Sequence, residues 1–260
     1  MRSLAEEPTS TDRPATYDGY TATALAERLH VPRAVVFGEV SSTLDVAHEL
    51  AAVGSPSGTI VLADAQTAGR GRLGRRWRSP AGAGIWLTVI ERPAGTMDLG
   101  LLPLRIGIAL APALSVFAED EVALKWPNDL YVRGGKLAGI LTEARWRGDG
   151  LEWVAIGVGI NVRPPEEEVA AGLRAGTERV EVLGAVLPVI RDAAARRGPL
   201  TASELTVFAS RDLAAGRACV EPVEGTVRGI DAGGSLLVEI ASGVIRIRAG
   251  SLVLEAGPDA

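Results

Sequence analysis

Apolar residues recur along this chain in two rhythms, and the rhythm changes several times. TATALAERLHV (21–31) has helical spacing, and Pro32 limits it. AVVFGEV (34–40) reads as a strand. SSTLDVAHELAAVG (41–54) predicts a helix with polar residues at its start and Gly54 at its end. GTIVLADAQ (58–66) and GIWLTVIERP (84–93) read as strands, the second closed by Pro93. In 101–120, Ile106, Leu110, Leu114 and Phe117 fall at helical intervals, with Pro112 as an expected kink. VALKWPNDLYV (122–132) and KLAGILTEA (136–144) predict short strands flanking a Gly134-Gly135 hairpin turn. WVAIGVGINV (153–162) is apolar throughout and predicts a buried strand.

From 163 to about 216 the pattern is mostly helical, with a break near Gly198-Pro199. The last stretch differs. ACVEPV, GTVRGI, LLVEIA and VIRIR are short strands separated by Glu224-Gly225, DAGGS and Ser242-Gly243, which predicts a small separate β-barrel. Residues 1–18, polar and proline-containing, are expected to be disordered. The expected organisation is therefore an N-terminal extension (1–35), a main domain (36–216) and a small C-terminal domain (217–260).

The 260-residue composition narrows the function more by exclusion than by assertion. A single cysteine, Cys219, excludes an internal disulfide and a cysteine-rich metal site, and suggests a reducing, cytoplasmic setting. His30 and His48 are the only histidines, which gives poor support to a histidine-rich metal centre or a Ser-His-Asp triad. The start, MRSLAEEPTSTDRP, lacks the apolar core of a secretory signal, and no apolar run is long enough to span a membrane. A net charge of −5 gives no global attraction to nucleic acid, so any anion binding must be local.

One place supplies that local charge. GRGRLGRRWR (69–78) holds Gly69, Gly71 and Gly74 among five arginines, including Arg70, Arg72 and Arg75. The glycines satisfy G-x-G-x-x-G, but a dinucleotide fold needs a helix after the turn. Here Pro80 and small residues lead into another strand. A kinase glycine loop does lie between strands, yet the chain has no H-R-D or D-F-G. The alternative to a solvated surface loop is an anion-binding one. Glycines let a backbone approach a ligand and offer N–H groups, and arginine forks match carboxylates and phosphates. Such a loop repels itself when empty, and is expected to be mobile until an anion orders it.

KWPNDL (125–130), KLAGIL (136–141) and GVGINV (157–162) are three further unusual segments. Each has an ordinary reading as turn chemistry, a strand-start lysine or a strand-ending asparagine. Together, in this order and with GRGRLGRRW, they resemble biotin protein ligase over about residues 36–256. The resemblance implies an α+β fold related to class II aminoacyl-tRNA synthetases. That fold has a mixed, mostly antiparallel sheet with helices, plus a small C-terminal SH3-like β-barrel. It implies ATP and Mg²⁺ as cofactors and biotin as substrate. The biotin carboxylate attacks the α-phosphate of ATP, pyrophosphate leaves, and a lysine amine of a carrier protein then attacks the biotinyl-5′-AMP.

This chemistry brings two anions together and so needs local cations, which the loop offers. By resemblance, Ser42, Thr43, Leu44, Gln66, Arg70, Gly71, Arg72 and Lys136 are expected at biotin, and Gly69, Arg72, Arg75, Asn128, Lys136 and Asn161 at the nucleotide. Lys136 and Arg72 are the expected catalytic pair, and Asp129 the expected Mg²⁺ ligand. Ser42 also suits a helix N-cap with Asp45 three residues on. The family usually has asparagine where Leu44 stands. Trp77 and Trp126 suit either ligand contact or core.

The expected partner is a biotin carboxyl carrier domain of acetyl-CoA carboxylase or a related carboxylase. With about 35 residues before the catalytic region and no basic recognition helix, a DNA-binding repressor role is not expected. Pattern alone does not fix the oligomeric state. Competing readings are a lipoate or octanoate ligase or transferase of the same fold, a non-catalytic anion- or nucleic-acid-binding module, and a homologue that binds biotin without transferring it.

Overall fold

The computed structural model describes residues 16–95, 97–163 and 170–255. The disorder expected for the N-terminal tail thus lies outside the described residues, except at 16–18, where Tyr17 is buried and bridges to Tyr20. In chain order the elements are α1 (Ala22–Arg28), β1 (Ala34–Val40), α2 (Thr43–Ala52), β2 (Thr59–Gln66), β3 (Gly84–Glu91), α3 (Leu102–Ser115), β4 (Ala123–Lys125), β5 (Asp129–Val132), β6 (Gly135–Arg147), β7 (Gly150–Asn161), α4 (Arg179–Ala195), α5 (Ala202–Arg211), β8 (Ala218–Glu221), β9 (Gly225–Ile230), β10 (Leu236–Ile240), β11 (Gly243–Ile247) and β12 (Val253–Leu254).

The first seven strands form one sheet in the order β1-β2-β3-β7-β6-β5-β4. Only β1 and β2 run parallel, because α2 is the crossover between them. The middle strands β3 and β7 are buried along nearly their whole length, which is why they read as apolar runs. Alternation assigns the faces. Ile85, Leu87 and Val89 of β3, with Val154, Ile156, Val158 and Ile160 of β7, join the large core beneath α1, α3 and α4. The intervening residues face the other way. There Leu44, Ala47 and Ala51 of α2 cover Val61, Ile90, Trp153 and Ala155 in a second, smaller core. α2 covers only part of this face. The part it leaves open carries Gly139 of β6 and Gly157 and Gly159 of β7, and this is where the cavity lies.

Three boundaries differ from the expected ones. The β5–β6 turn is Arg133-Gly134, not Gly134-Gly135: both have positive φ (50° and 79°), and Val132 pairs directly with Gly135. This is the backbone that a two-residue hairpin turn needs. α3 ends at Ser115, not near 120. The chain leaves the helix because Arg174 Nη2 donates to Val116 O and Ala118 O at 2.9 Å each, while Ser115 Oγ accepts from Val122 N. The helical pattern read from 163 becomes α4 only at Arg179. Residues 164–169 lie outside the described residues, and Ala170 instead bridges to Lys136. The break near Gly198-Pro199 separates α4 from α5 as expected. It is bound by Arg105, whose Nη2 donates to Gly198 O and Pro199 O and whose Nε pairs with buried Glu204.

The short C-terminal strands form a second, wholly antiparallel sheet in the order β11-β10-β9-β8-β12. Its buried Cys219, Val227, Leu236 and Val238 belong to the same core as the first sheet. Trp126 Nε1 donates to Gly234 O at 2.9 Å across this junction. No helix among the described residues is long and apolar enough to cross a membrane.

Candidate active site

A cavity of about 310 Å³ opens over the glycine-bearing face of the first sheet. One end is built by the start of α2. Ser42 is the N-cap, accepting from Leu44 N at 3.3 Å. Thr43 N and Thr43 Oγ1 both donate to Gln66 Oε1, at 2.9 and 3.2 Å. Gln66 Nε2 donates to Ser79 Oγ at 2.8 Å, and Thr88 Oγ1 to Thr43 Oγ1 at 2.9 Å. Ser42 and Thr43 are buried, so this chain of hydrogen bonds fixes their rotamers in a low dielectric. Leu44 is buried as well and lies against Gly157, where an added Cβ would meet its Cδ1 at 3.1 Å. This wall is therefore apolar.

The arginine loop is strand–loop–strand, as its sequence context requires, and is itself a distorted hairpin. Gln66 bridges to Ser79 and Arg70 to Arg76. Its tip is a short 3-10 turn, Arg72–Gly74, with Leu73 and Gly74 at positive φ. The glycines serve the hairpin as well as any ligand. Gly71 N donates to Arg75 O at 2.8 Å, and a Cβ on Gly69 would meet Trp77 O at 2.4 Å. Arg70 Nη2 engages two carboxylates, Asp45 at 3.0 Å and Glu143 at 3.1 Å. Asp45, in the first turn of α2 behind the Ser42 N-cap, thus also serves the loop. Arg72 Nη1 donates to Asn128 Oδ1 at 3.1 Å. Burial pushes the Arg72 guanidinium below its ordinary value, with Asp129 opposing and Arg75 adding to the shift.

The other end is cationic. Lys136 Nζ pairs with Asp129 Oδ2 at 2.8 Å and lies 5.1 Å from the centre of the Trp77 ring. Lys136 is fixed through its own carbonyl, which accepts from Asn161 Nδ2 at 3.0 Å and from Ala171 N at 3.0 Å. Trp77 lies on paired Gly139 and Gly159, where added Cβ atoms would approach its ring to 2.9 and 2.7 Å. Two buried polar atoms here have no protein partner: Asp129 Oδ1 and Trp77 Nε1. Such orphans are costly unless a ligand completes them.

Ser42, Thr43, Leu44, Gln66, Arg70, Gly71, Arg72, Arg75, Asn128, Asp129 and Lys136 all line this one cavity. Asn161 stands one layer behind through Lys136, and Gly69 stands behind Gln66 and Trp77. Trp77 and Trp126 both line the cavity, Trp77 as its floor and Trp126 as a buried side chain, 2 % exposed, that also belongs to the core.

Sequence reasoning missed several lining residues. Lys125, whose ammonium burial pushes below its ordinary value, belongs to the KWPNDL segment already singled out. Gly157 and Gly159 stand two apart in an apolar run, a spacing that puts both on one face and marks a close approach. Ser251 and Leu252 come from the second sheet's side, and no local signal announces them.

Residues 37–161 match the family described as the biotin/lipoate A/B protein ligase family. The chain is 39% identical over 164 residues to the bifunctional ligase/repressor BirA of Bacillus spizizenii, covering 58% of this chain and 49% of that protein. It is 41% identical over 135 residues to the biotin–[acetyl-CoA-carboxylase] ligase of Mycobacterium tuberculosis, covering 50% of this chain and 48% of that one. The chain thus spans about half the length of the curated relatives it matches. Among solved structures, the biotin protein ligase from Aquifex aeolicus in complex with biotin and ATP superposes with a TM-score of 0.71 at 29% identity. That match covers 86% of this chain and 99% of the other. Over residues 37–161, this chain carries a domain of the biotin/lipoate A/B protein ligase family.

Proposed function

We propose that the protein is a biotin protein ligase, which joins biotin to ATP as biotinyl-5′-AMP and transfers biotin to a lysine of a biotin carboxyl carrier domain. The observation that carries this reading is the shape of the cavity: a neutral, hydrogen-bonded end at Thr43 and Gln66 joined to a cationic end at Lys136 and Arg72. The relatives named for biotin and the Aquifex aeolicus structure with biotin and ATP support it.

In this reading the biotin ring system lies at Ser42, Thr43, Leu44 and Gln66, with Arg70 and Gly71 covering it. Its carboxylate points toward Lys136. The nucleotide lies along Arg72, Arg75, Asn128 and Trp77, with Gly69 and Asn161 supporting the loop and Lys136 from behind. The carboxylate oxygen attacks the α-phosphorus, and the bond to pyrophosphate breaks. Lys136 and Arg72 neutralise charge that grows on the transferring phosphoryl group, and Lys125 adds to that field. Cations already in place in a partly desolvated site need no reorganisation as the charge develops.

Transfer then forms an amide: the carrier amine attacks the acyl carbon, AMP leaves, and the amine loses its proton. The hairpin over the cavity keeps water from the anhydride meanwhile. Asp129 Oδ1, buried and unpartnered, suits Mg²⁺, which needs few protein carboxylates when phosphates supply the rest. When bound, the ion supplies further neutralisation of the phosphates. We take residues 36–216 as the catalytic unit and the second sheet as a small SH3-like barrel. We take the partner as a carboxylase carrier domain and the reducing cytoplasm as the setting.

The test is pyrophosphate release from ATP and Mg²⁺ with biotin or lipoate supplied separately, followed by addition of an apo carrier domain and intact-mass measurement. Biotin-dependent release and a one-biotin mass gain on the carrier are expected. Activity with lipoate alone would move the protein to the lipoate branch of the family.

A further inference from the structure

The arginine loop is anchored through Arg70 by residues that the proposed reaction leaves idle: Asp45, Glu143 and His48. Arg70 Nη2 is 3.0 Å from Asp45 Oδ1 on α2 and 3.1 Å from Glu143 Oε2 on β6. Glu143 Oε2 is shared: His48 Nε2 approaches it to 3.0 Å. The opposite ring nitrogen of His48 is also occupied, by Trp153 Nε1 at 3.0 Å. An indole N–H can only donate, so His48 Nδ1 is an acceptor there. The imidazole proton therefore sits on Nε2, which donates to Glu143. Trp153 is buried in the core beneath α2, with Arg92 against its ring. A chain of fixed groups thus runs from that core to the arginine loop.

We infer that Asp45 and Glu143 form a two-sided latch that holds the arginine loop over the cavity through Arg70, with His48 as the positioning residue for Glu143. Its use in retaining the adenylate rests on the biotin ligase reading; the latch itself does not. The competing account is that Asp45 only favours the N-terminus of α2, and that the His48–Glu143 pair only braces α2 on the sheet. Asp45 and Glu143 are 44% and 32% exposed, so each pair alone contributes little. Two carboxylates from different elements on one guanidinium can bias a mobile hairpin without changing global stability much.

The experiment is limited trypsin digestion of the ligand-free full chain, read at the loop arginines, with thermal melting of every variant. Glu143→Gln keeps an acceptor for His48 but turns an uncharged amide toward Arg70. It and Asp45→Asn should each speed loop cleavage about fivefold, with Tm nearly unchanged. His48→Phe should speed cleavage in the wild-type background and add nothing in Glu143→Gln, because it acts through Glu143. Arg147→Gln, which breaks an exposed pair with Glu152 at the far hairpin, should leave loop cleavage unchanged. In the same variants biotinyl-5′-AMP should escape about fivefold faster, while its rate of formation stays near wild type. Unchanged loop cleavage, or a full His48→Phe effect on top of Glu143→Gln, overturns the latch. Faster cleavage with unchanged adenylate escape overturns its use in retention. If the wild type makes no adenylate, the ligase reading fails while the cleavage result still decides the latch.

Discussion

At the Thr43 end of the cavity, Thr88, Thr43, Gln66 and Ser79 are linked in a continuous chain of hydrogen bonds that ends on Trp77 O. At the Lys136 end, Asp129 Oδ1 and Trp77 Nε1 are buried without protein partners among several cations. The first is a finished pocket. Its polar atoms are already oriented, so a neutral polar ring gains contacts without rearrangement. The second is incomplete. Lys136 is held by Asp129, and a ligand bearing phosphate can complete both the charge balance and the orphaned atoms. One end is thus built for recognition by shape and hydrogen bonding, and the other concentrates positive charge.

Four changes test that contrast. The largest effect is expected at the charged end. Lys136→Ala should lower adenylate formation by about a thousandfold or more, with the fold retained, as read by single-turnover assays and circular dichroism. At the finished end, Thr43→Val removes a hydroxyl and strands Thr88 Oγ1 and one lone pair of Gln66. A cost of about 1–3 kcal/mol should appear as a rise in KM for biotin, with kcat within about twofold of wild type. Third, Gly159→Ala pushes a Cβ into the Trp77 ring. About 1–3 kcal/mol of stability should be lost, with a lower Tm and altered tryptophan fluorescence.

The smallest effect is a pH dependence of the loop. The hydrogen bond from His48, with help from the Arg70 charge, holds the Glu143 carboxyl below the usual glutamate value against its desolvation. A depressed folded value means that the contribution is fully present above the ordinary glutamate value of about 4.3, and is lost as pH falls through the lower folded one. Loop cleavage by a protease active in acid should therefore stay slow through mildly acidic pH and rise only below the ordinary glutamate range. Glu143→Gln should reduce that rise.

The strands and the cavity were legible in the sequence to different extents. The β3 and β7 runs were readable because strands buried on both faces need apolar residues at nearly every position. The end of α3 was not, since Arg174, far along the chain, supplies the hydrogen bonds that draw residues 116–118 out of the helix. Most expected site residues converge on one cavity because the quoted segments sit on strands that pair directly, as Asp129 with Gly139 and Gly139 with Gly159. Lys125 was visible in its segment but was passed over. Ser251, Leu252 and the partners of Arg70 were not visible. Their roles depend on which elements the fold brings together, and neither spacing nor composition encodes that.

The central claim is that the two ends take two molecules and join them at Lys136. The most direct measurement is a rapid quench of the protein with biotin, ATP and Mg²⁺, with mass spectrometry of the small-molecule fraction and lipoate run in parallel. The account predicts biotinyl-5′-AMP matched by one pyrophosphate per turnover, and no corresponding lipoyl adenylate. Tight biotin binding with no adenylate at any time point would contradict it.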